Sequence, residues 1–286
     1  MPEAPQVSIA LTRFNEADAL ILETLQSLAA QQGISGEVLF LDQNPTDAMR
    51  ESCERLSRPE LPFIHEAIPA RSLSYARNEA IRRAASDFVL YIDSDAIARR
   101  DWAAILAETL GDDEVGVAGT RILPKWHGRP LLIARARLVQ DQYSLYDLGD
   151  ERKPIHRVVG ASFGIHRARL GKQAYFDENL GRREGVLFGG EESDLCQRAA
   201  GLGLKTVYDG RTFVYHQILP ERIRYGWVLR RFFYAGMGRA QLGGAPNPSS
   251  PLRFWDYVAI PVVLPFYAAG YRRGRRMSSA RLPGDR

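Results

Sequence analysis

Asp93 and Asp95 stand one residue apart in IDSD, directly after the apolar run Phe88–Ile92, and Asp42 directly follows a second apolar run, Glu37–Leu41. Two carboxylates at the spacing of Asp93 and Asp95 repel each other unless a cation lies beside them. A hard divalent ion such as Mg2+ or Mn2+ takes few protein carboxylates and completes its shell with water and phosphate oxygens. The pair therefore fits a Lewis-acid site that neutralises a leaving diphosphate. Asp42 taken alone reads as turn chemistry after a strand. A second acidic group, Glu191, Glu192 and Asp194 in FGGEESDLCQR, precedes a helical pattern. Its charge complements a helix N-terminus. Gly189 and Gly190 before it suit close backbone approach to a ligand. His216 stands alone after an apolar run, where a histidine is ordinarily structural.

These residues need elements to hold them. Val7–Leu11, Glu37–Leu41, Leu61–His65, Phe88–Ile92 and Val115–Gly119 read as short strands. Between them, Ala17–Gln32, Ser74–Ala85 and a segment from Asp101 to Leu110 read as helices. Such alternation predicts an open, mostly parallel sheet covered on both faces, whose ligand crevice lies beyond the carboxyl ends of the strands. The excursion Arg121–Arg157 is less regular, with a helix expected at Leu131–Tyr146. Regular patterns return at Val158–Ile165, Glu191–Ala200, Lys205–Tyr208 and Thr212–Tyr215, followed by a helical, basic, aromatic stretch at Arg222–Leu242. A loop, GGAPNPSSP, then leads to the apolar run Tyr257–Tyr271 and to RRGRR.

With 286 residues, 45% hydrophobic and 25% charged, the chain has the composition of an ordinary folded protein. Its two cysteines give neither a disulfide framework nor metal-ligand spacing and suit a reducing compartment. The first residues lack the pattern of a signal peptide, so the expected location is cytoplasmic. From Gln217 onward, 12 arginines face three acidic residues, a net of +9, so that the overall +4 leaves −5 on the first 216 residues. An acidic body with a basic, aromatic tail suggests that the tail meets an anionic surface.

The order of motifs resembles the family 2 glycosyltransferases. Four stretches of the first half and its sequel carry the likeness: LTRFNE (Leu11–Glu16), LDQNPTD (Leu41–Asp47), ARNEAIRRAASDFVLYIDSDA, and the series VVGASFGIHRARL, YFDENLG, FGGEESDLCQR, TVYDGRTFVYH. It covers roughly Val7 to His216. The resemblance implies an α/β GT-A fold, a mostly parallel Rossmann-like central sheet flanked by helices. It places a nucleotide-sugar-binding half at residues 1–119, an acceptor half at 120–216 and a helical appendage at 217–286. It implies an inverting transfer of a hexose-type sugar from a nucleoside diphosphate, with a lean to UDP-sugars, to a glycan or lipid-linked acceptor.

Carried over residue by residue, the likeness puts Thr12, Phe14 and Asn15 at the nucleotide, and gives Asp42 a hydrogen bond from the base. Arg77 would meet the base or diphosphate, Asp93 the ribose and the metal, and Asp95 the metal, with His216 completing the Mg2+ or Mn2+ shell. The family's base is the Asp of a Glu-Asp pair. Here the matching pair is Glu191 and Glu192, so Glu192 carries the role one methylene farther out, with Glu191 and Asp194 as alternates.

Two rivals stand beside this reading. A sugar-nucleotide pyrophosphorylase needs a glycine-rich phosphate loop after the first strand, and LTRFNEAD has no glycine. A non-catalytic nucleotide-sugar-binding protein on a transferase scaffold would not need Asp93, Asp95 and Glu192 intact. For the tail, an apolar run interrupted by Pro261 and Pro265 is too short for a confident membrane span. It suits peripheral attachment to the cytoplasmic face of a membrane, or a cover packed on the body. No nucleic-acid-binding motif is present, and no nucleic-acid partner is expected.

Overall fold

The computed structural model describes residues 6–178, 190–241 and 252–279. The chain begins with β1 (Gln6–Arg13), α1 (Asp18–Ala29), β2 (Ser35–Asp42), α2 (Asp47–Leu56), β3 (Phe63–Ala67) and α3 (Leu73–Arg83). It continues through β4 (Phe88–Asp93), β5 (Ala96–Ala98), α4 (Trp102–Gly111), β6 (Val115–Trp126) and the four-residue α5 (Arg137–Gln140). Then come β7 (Arg152–Pro154), β8 (Ser162–His166), the short α6 (Arg167–Leu170), α7 (Glu191–Gly201), β9 (Lys205–Ile218), α8 (Tyr225–Gln241) and α9 (Phe254–Ser279).

The strands form one sheet in the order β3-β2-β1-β4-β8-β6-β9-β5, with β7 paired to β9. β1 pairs parallel with both β2 and β4, and β2 with β3. β8 then runs antiparallel to β4 and β6, and β9 antiparallel to β5 and β7. This is the α/β arrangement of the GT-A fold. β1, the carboxyl-terminal part of β2 and the interior of β4 are buried on both faces, which is why they read as unbroken apolar runs. On one face, Ala10, Leu39, Leu41, Val89 and Tyr91 form a core with Ala76, Ala80 and Ile81 of α3 and Leu195 and Ala199 of α7. α1, α2 and α4 bring Leu25, Met49 and Leu106 to the interior as well, each at most 2% exposed.

Three expectations change. Lys205–Tyr208 and Thr212–Tyr215 are one strand, β9: a Cβ on Gly210 would lie 2.0 Å from the Gly149 carbonyl oxygen, so that glycine serves close passage rather than a break. β6 likewise runs past Gly119 to Trp126, because Gly119 makes room for Val158. The helix expected at Leu131–Tyr146 is three short turns, Leu132–Arg135, α5 and Asp141–Tyr143. Extended Ala136 (ψ 131) and left-handed Ser144 (φ 57) interrupt it as Ile133, Val139 and Tyr143 each find a buried place.

Two compact units divide the chain. In its described part, one comprises residues 6–124, 146–178 and 190–217, and the other 125–145, 218–241 and 252–279. The second is built on α8 and α9, whose backbones touch. A Cβ on Gly236 would lie 2.1 Å from the Tyr267 oxygen, and one on Gly270 1.8 Å from the Phe233 oxygen. Tyr143 stacks on Trp227 in the same unit, with ring centroids 5.0 Å apart. α9 runs through Pro261 and Pro265 without ending. Among the described residues no helix is long and apolar enough to cross a membrane.

Candidate active site

Parallel register aligns the carboxyl ends of the first strands: Thr12 lies beside Asp93, and Arg13 beside Asp42. The Asp42 carboxylate is fully buried and engaged on both oxygens. Asn44 N–H donates to Oδ1 at 2.8 Å, while His65 Nε2 and Arg13 Nη1 meet Oδ2 at 2.9 and 3.5 Å. Arg13, 3% exposed, also pairs with Asp18 at 2.6 Å and donates to the Glu16 carbonyl at 3.1 Å. Glu16 in turn receives the backbone N–H groups of Phe14 and Asn15. Thr12 is 8% exposed, Phe14 half-buried and Asn15 exposed. Neither Arg13 nor His65 is flagged by the sequence motifs, and their role follows only from strand register.

Asp93 ends β4 and Asp95 follows on the turn into β5. β5 pairs Ala96 with His216 of β9, and Gln217 N–H donates to the Asp95 carbonyl at 2.8 Å. The cross-strand bonds thus bring a histidine from 121 positions later in the chain to the two acids. One ligand atom from each of Asp93, Asp95 and His216 lies within 4.8 Å of the others. His216 Nε2 is 3.1 Å from Asp95 Oδ1, and its buried Nδ1 has no partner among the described residues. Two carboxylates and an imidazole form a donor set suited to Mn2+ or Mg2+.

Arg77 of α3 joins this cluster to the second acidic group. Its Nη1 is 2.9 Å from Glu192 and 3.4 Å from Glu191, both in the first turn of α7. Its Nη2 is 3.8 Å from Asp93 and donates to the Gly160 carbonyl at 3.2 Å. The guanidinium is 2% exposed and lies over the rings of Phe163 and Phe176. Burial works against its charge, but Glu192, Glu191 and Asp93 outweigh that and hold its pKa above the ordinary arginine value. Neighbouring Asn78 fixes Phe176 through paired bonds, Nδ2 to its carbonyl at 2.9 Å and its N–H to Oδ1 at 2.7 Å.

Gly160, in the VVGASFGIHRARL stretch, permits this junction. A Cβ there would stand 2.1 Å from Glu192 Oε1 and 2.8 Å from Arg77 Nη2. Of the three acids, Glu191 is 3% exposed at the side chain and Asp194 is clasped by Arg198 at 2.8 Å. Glu192, at 15%, keeps more access to solvent than Glu191. Gly190, at φ 128, starts α7, whereas Gly189 lies outside the described residues.

Known proteins similar to this chain give its family and fold. The family model for Glycosyl transferase family 2 matches residues 8–178. A glucosyl-dolichyl phosphate glucuronosyltransferase of Haloferax volcanii is 25% identical over 221 residues, 76% of this chain and 70% of that protein. A pre-mycofactocin glycosyltransferase of Mycobacterium tuberculosis is 27% identical over 177 residues, 62% of this chain and 36% of its own length. The fold is shared with a mannosyltransferase of Pyrobaculum calidifontis, PcManGT, solved with GDP-Man and Mn2+. The TM-score is 0.61 at 20% identity, over 99% of this chain and 77% of that one. GalNAc-T7, solved with UDP, GalNAc and Mn2+, follows at 0.58 and 14%, over 98% and 57%. With the strand-end acids in place and the family model spanning more than half of its length, the chain belongs to glycosyl transferase family 2.

Proposed function

We propose that this glycosyltransferase moves a hexose-type sugar from a nucleoside diphosphate, UDP being the first donor to test, onto a hydroxyl of a glycan or lipid-linked acceptor, with inversion. The observation that supports it best is the Arg77 fork, which reaches Glu192 on one side and Asp93 of the acidic cluster on the other. Asp93, Asp95 and His216 would hold a divalent cation, which supplies Lewis-acid neutralisation of the leaving diphosphate. Thr12, Phe14 and Asn15 would line the nucleotide, and Asp42, fully buried with both oxygens taken, would hold the Arg13 and His65 side chains rather than meet the base.

Glu192 is the proposed base. Its carboxylate takes the proton of the acceptor hydroxyl as that oxygen bonds to the anomeric carbon, and the bond from that carbon to the diphosphate oxygen breaks. The nucleoside diphosphate carries the electron pair away. Inversion follows because attack comes from the face opposite the leaving group. Arg77 is the positioning residue: it grips Glu192 Oε1 and fixes where the proton is received. The body works on the cytoplasmic side, peripheral to an anionic membrane.

A panel of nucleotide sugars, assayed with Mn2+, with Mg2+ and with EDTA, tests the reading. Diphosphate release that requires the metal, with the product anomer opposite to the donor's, is the expected result. Binding of nucleotide sugars without turnover on any acceptor hydroxyl offered would instead favour the non-catalytic binding protein.

A further inference from the structure

α9 carries its buried and exposed residues on opposite sides. Asp256, Ala259, Val263, Gly270 and Gly274 recur at helical spacing and are buried, and both glycines would clash with the α8 backbone if they bore a Cβ. Across the helix, Phe254, Tyr257, Val258, Val262, Leu264 and Phe266 are exposed, from 39% for Val262 to 73% for Phe254. Pro261, Pro265 and Ala269 complete that face, and no exposed residue from Phe254 to Ala269 is charged. Six large apolar side chains in one block exceed the scattered single exposures of an ordinary surface.

Charge frames the block at both ends. Exposed Arg253 precedes it, and exposed Arg272, Arg273, Arg275 and Arg276 follow it. The one acid of α9, Asp256, is 1% exposed and accepts from the N–H groups of Arg253 and Leu138 at 2.7 and 2.9 Å. A second copy of this face, laid parallel or antiparallel, would set arginine against arginine. An anionic lipid surface accepts both the apolar block and the flanking cations.

The prolines choose between lying on a membrane and crossing it. Neither has an N–H, so the carbonyls of Tyr257 and Pro261 lack their helical donor. In hydrocarbon those oxygens would go unmet, while water and headgroups satisfy them at the interface.

We infer that α9 lies along an anionic bilayer surface, with its Phe254–Phe266 face in the headgroup–acyl boundary and its terminal arginines on lipid phosphates. Trp255 and Tyr267 stay inside the second unit. Arg135 sits 5.0 Å over the Trp255 ring, and burial pushes the Tyr267 hydroxyl pKa upward. The inference deepens the peripheral placement proposed above, and its test reads binding rather than transfer, so each can fail alone.

The full chain is sedimented with vesicles of phosphatidylcholine alone and of phosphatidylcholine mixed with phosphatidylglycerol, at low and high salt. Wild type should bind the mixed vesicles, weaken at high salt and keep a salt-resistant remainder. Arg272→Gln with Arg276→Gln should lose affinity at low salt, about fivefold per arginine, and match wild type at high salt. Leu264→Glu should cut the salt-resistant binding tenfold or more. Tyr257→Glu, at a position 63% exposed, repeats that test should the first variant melt early. Wild type that stays in solution with both vesicles, or Glu variants that bind like wild type, would overturn the inference. Dimers that Leu264→Glu dissolves, without vesicle binding, would assign the face to a second copy.

Discussion

Two acidic clusters stand at the strand ends of the same sheet, and they are built from different partners. Around Asp42, each carboxylate oxygen is met from within the protein by Asn44, His65 and Arg13. Around Asp93 and Asp95, the acids face a histidine whose second ring nitrogen finds no partner among the described residues. The first is a carboxylate paired within the fold, whereas the second gathers two carboxylates and an imidazole, the groups that hold a divalent cation. The first cluster should therefore answer mutation with stability, and the second, with its Arg77 link to Glu192, should answer with catalysis and binding.

The largest expected effect is catalytic. Glu192→Gln keeps the shape of the side chain and loses its basicity, and a positioned base contributes ~10²–10⁴-fold in rate. Transfer should fall by that order while nucleoside diphosphate affinity, measured by calorimetry, and thermal stability stay near wild type. Turnover at the wild-type rate would move the role to Glu191 or Asp194.

Breaking the closed cluster should show in the fold. Asp42→Ala leaves His65 and Arg13 facing a vacated, buried site, and removing one partner of a buried pair costs roughly 3–5 kcal/mol. The lower figure applies, because Asp18 keeps Arg13 paired at 2.6 Å. A loss of about 3 kcal/mol lowers the melting temperature by roughly 6–12 °C in a chain of this size. A melting point unchanged in Asp42→Ala would show that the cluster is no more structural than its neighbour.

The second cluster should respond in binding. Asp95→Ala removes one of two carboxylates aimed at the cation position, so UDP affinity in Mn2+ should fall by about tenfold or more, and the difference between Mn2+ and EDTA should vanish. Retained Mn2+-dependent binding would remove Asp95 from the metal set.

How much of this contrast was legible in the sequence follows from distance along the chain. Asp93 and Asp95 announce themselves by spacing after a buried strand, and β1, β2 and β4 by runs that only a two-faced burial requires. The closure of Asp42 was not legible, because Arg13 reaches it through strand register and His65 from a third strand. Arg77 stood out as part of a motif, but its partner Glu192 lies 115 positions away and its exit to solvent is shut by Phe163 and Phe176. The expected strands stop at Gly119 and break around Gly210, yet both glycines lie inside continuous strands where they allow close packing. In the tail, composition named the arginines and aromatics, yet only helix geometry divides those packed against α8 from those facing out.

The smallest effect concerns a thiol that borders the closed cluster. Cys53 of α2 is 1% exposed, and burial, followed by the charges of Asp42 and Glu54, pushes its pKa up to about 12. At pH 8 about one thiol in ten thousand is then ionised, against about a quarter for an ordinary cysteine, and the thiolate is the reactive species. Cys196, 2% exposed, is raised as well, first by burial. The native protein should therefore release almost no thionitrobenzoate from Ellman's reagent at pH 8, and two equivalents once unfolded in guanidinium. Mass spectrometry after a short iodoacetamide pulse assigns any reacting site. Rapid native labelling of Cys53 would mean that the cluster around Asp42 opens readily. In Asp42→Ala, labelling should rise only as far as local opening increases, because burial, the larger cause, survives the loss of the charge. A rise confined to Cys53, with Cys196 still protected, would locate that loosening at the nucleotide rim of the sheet.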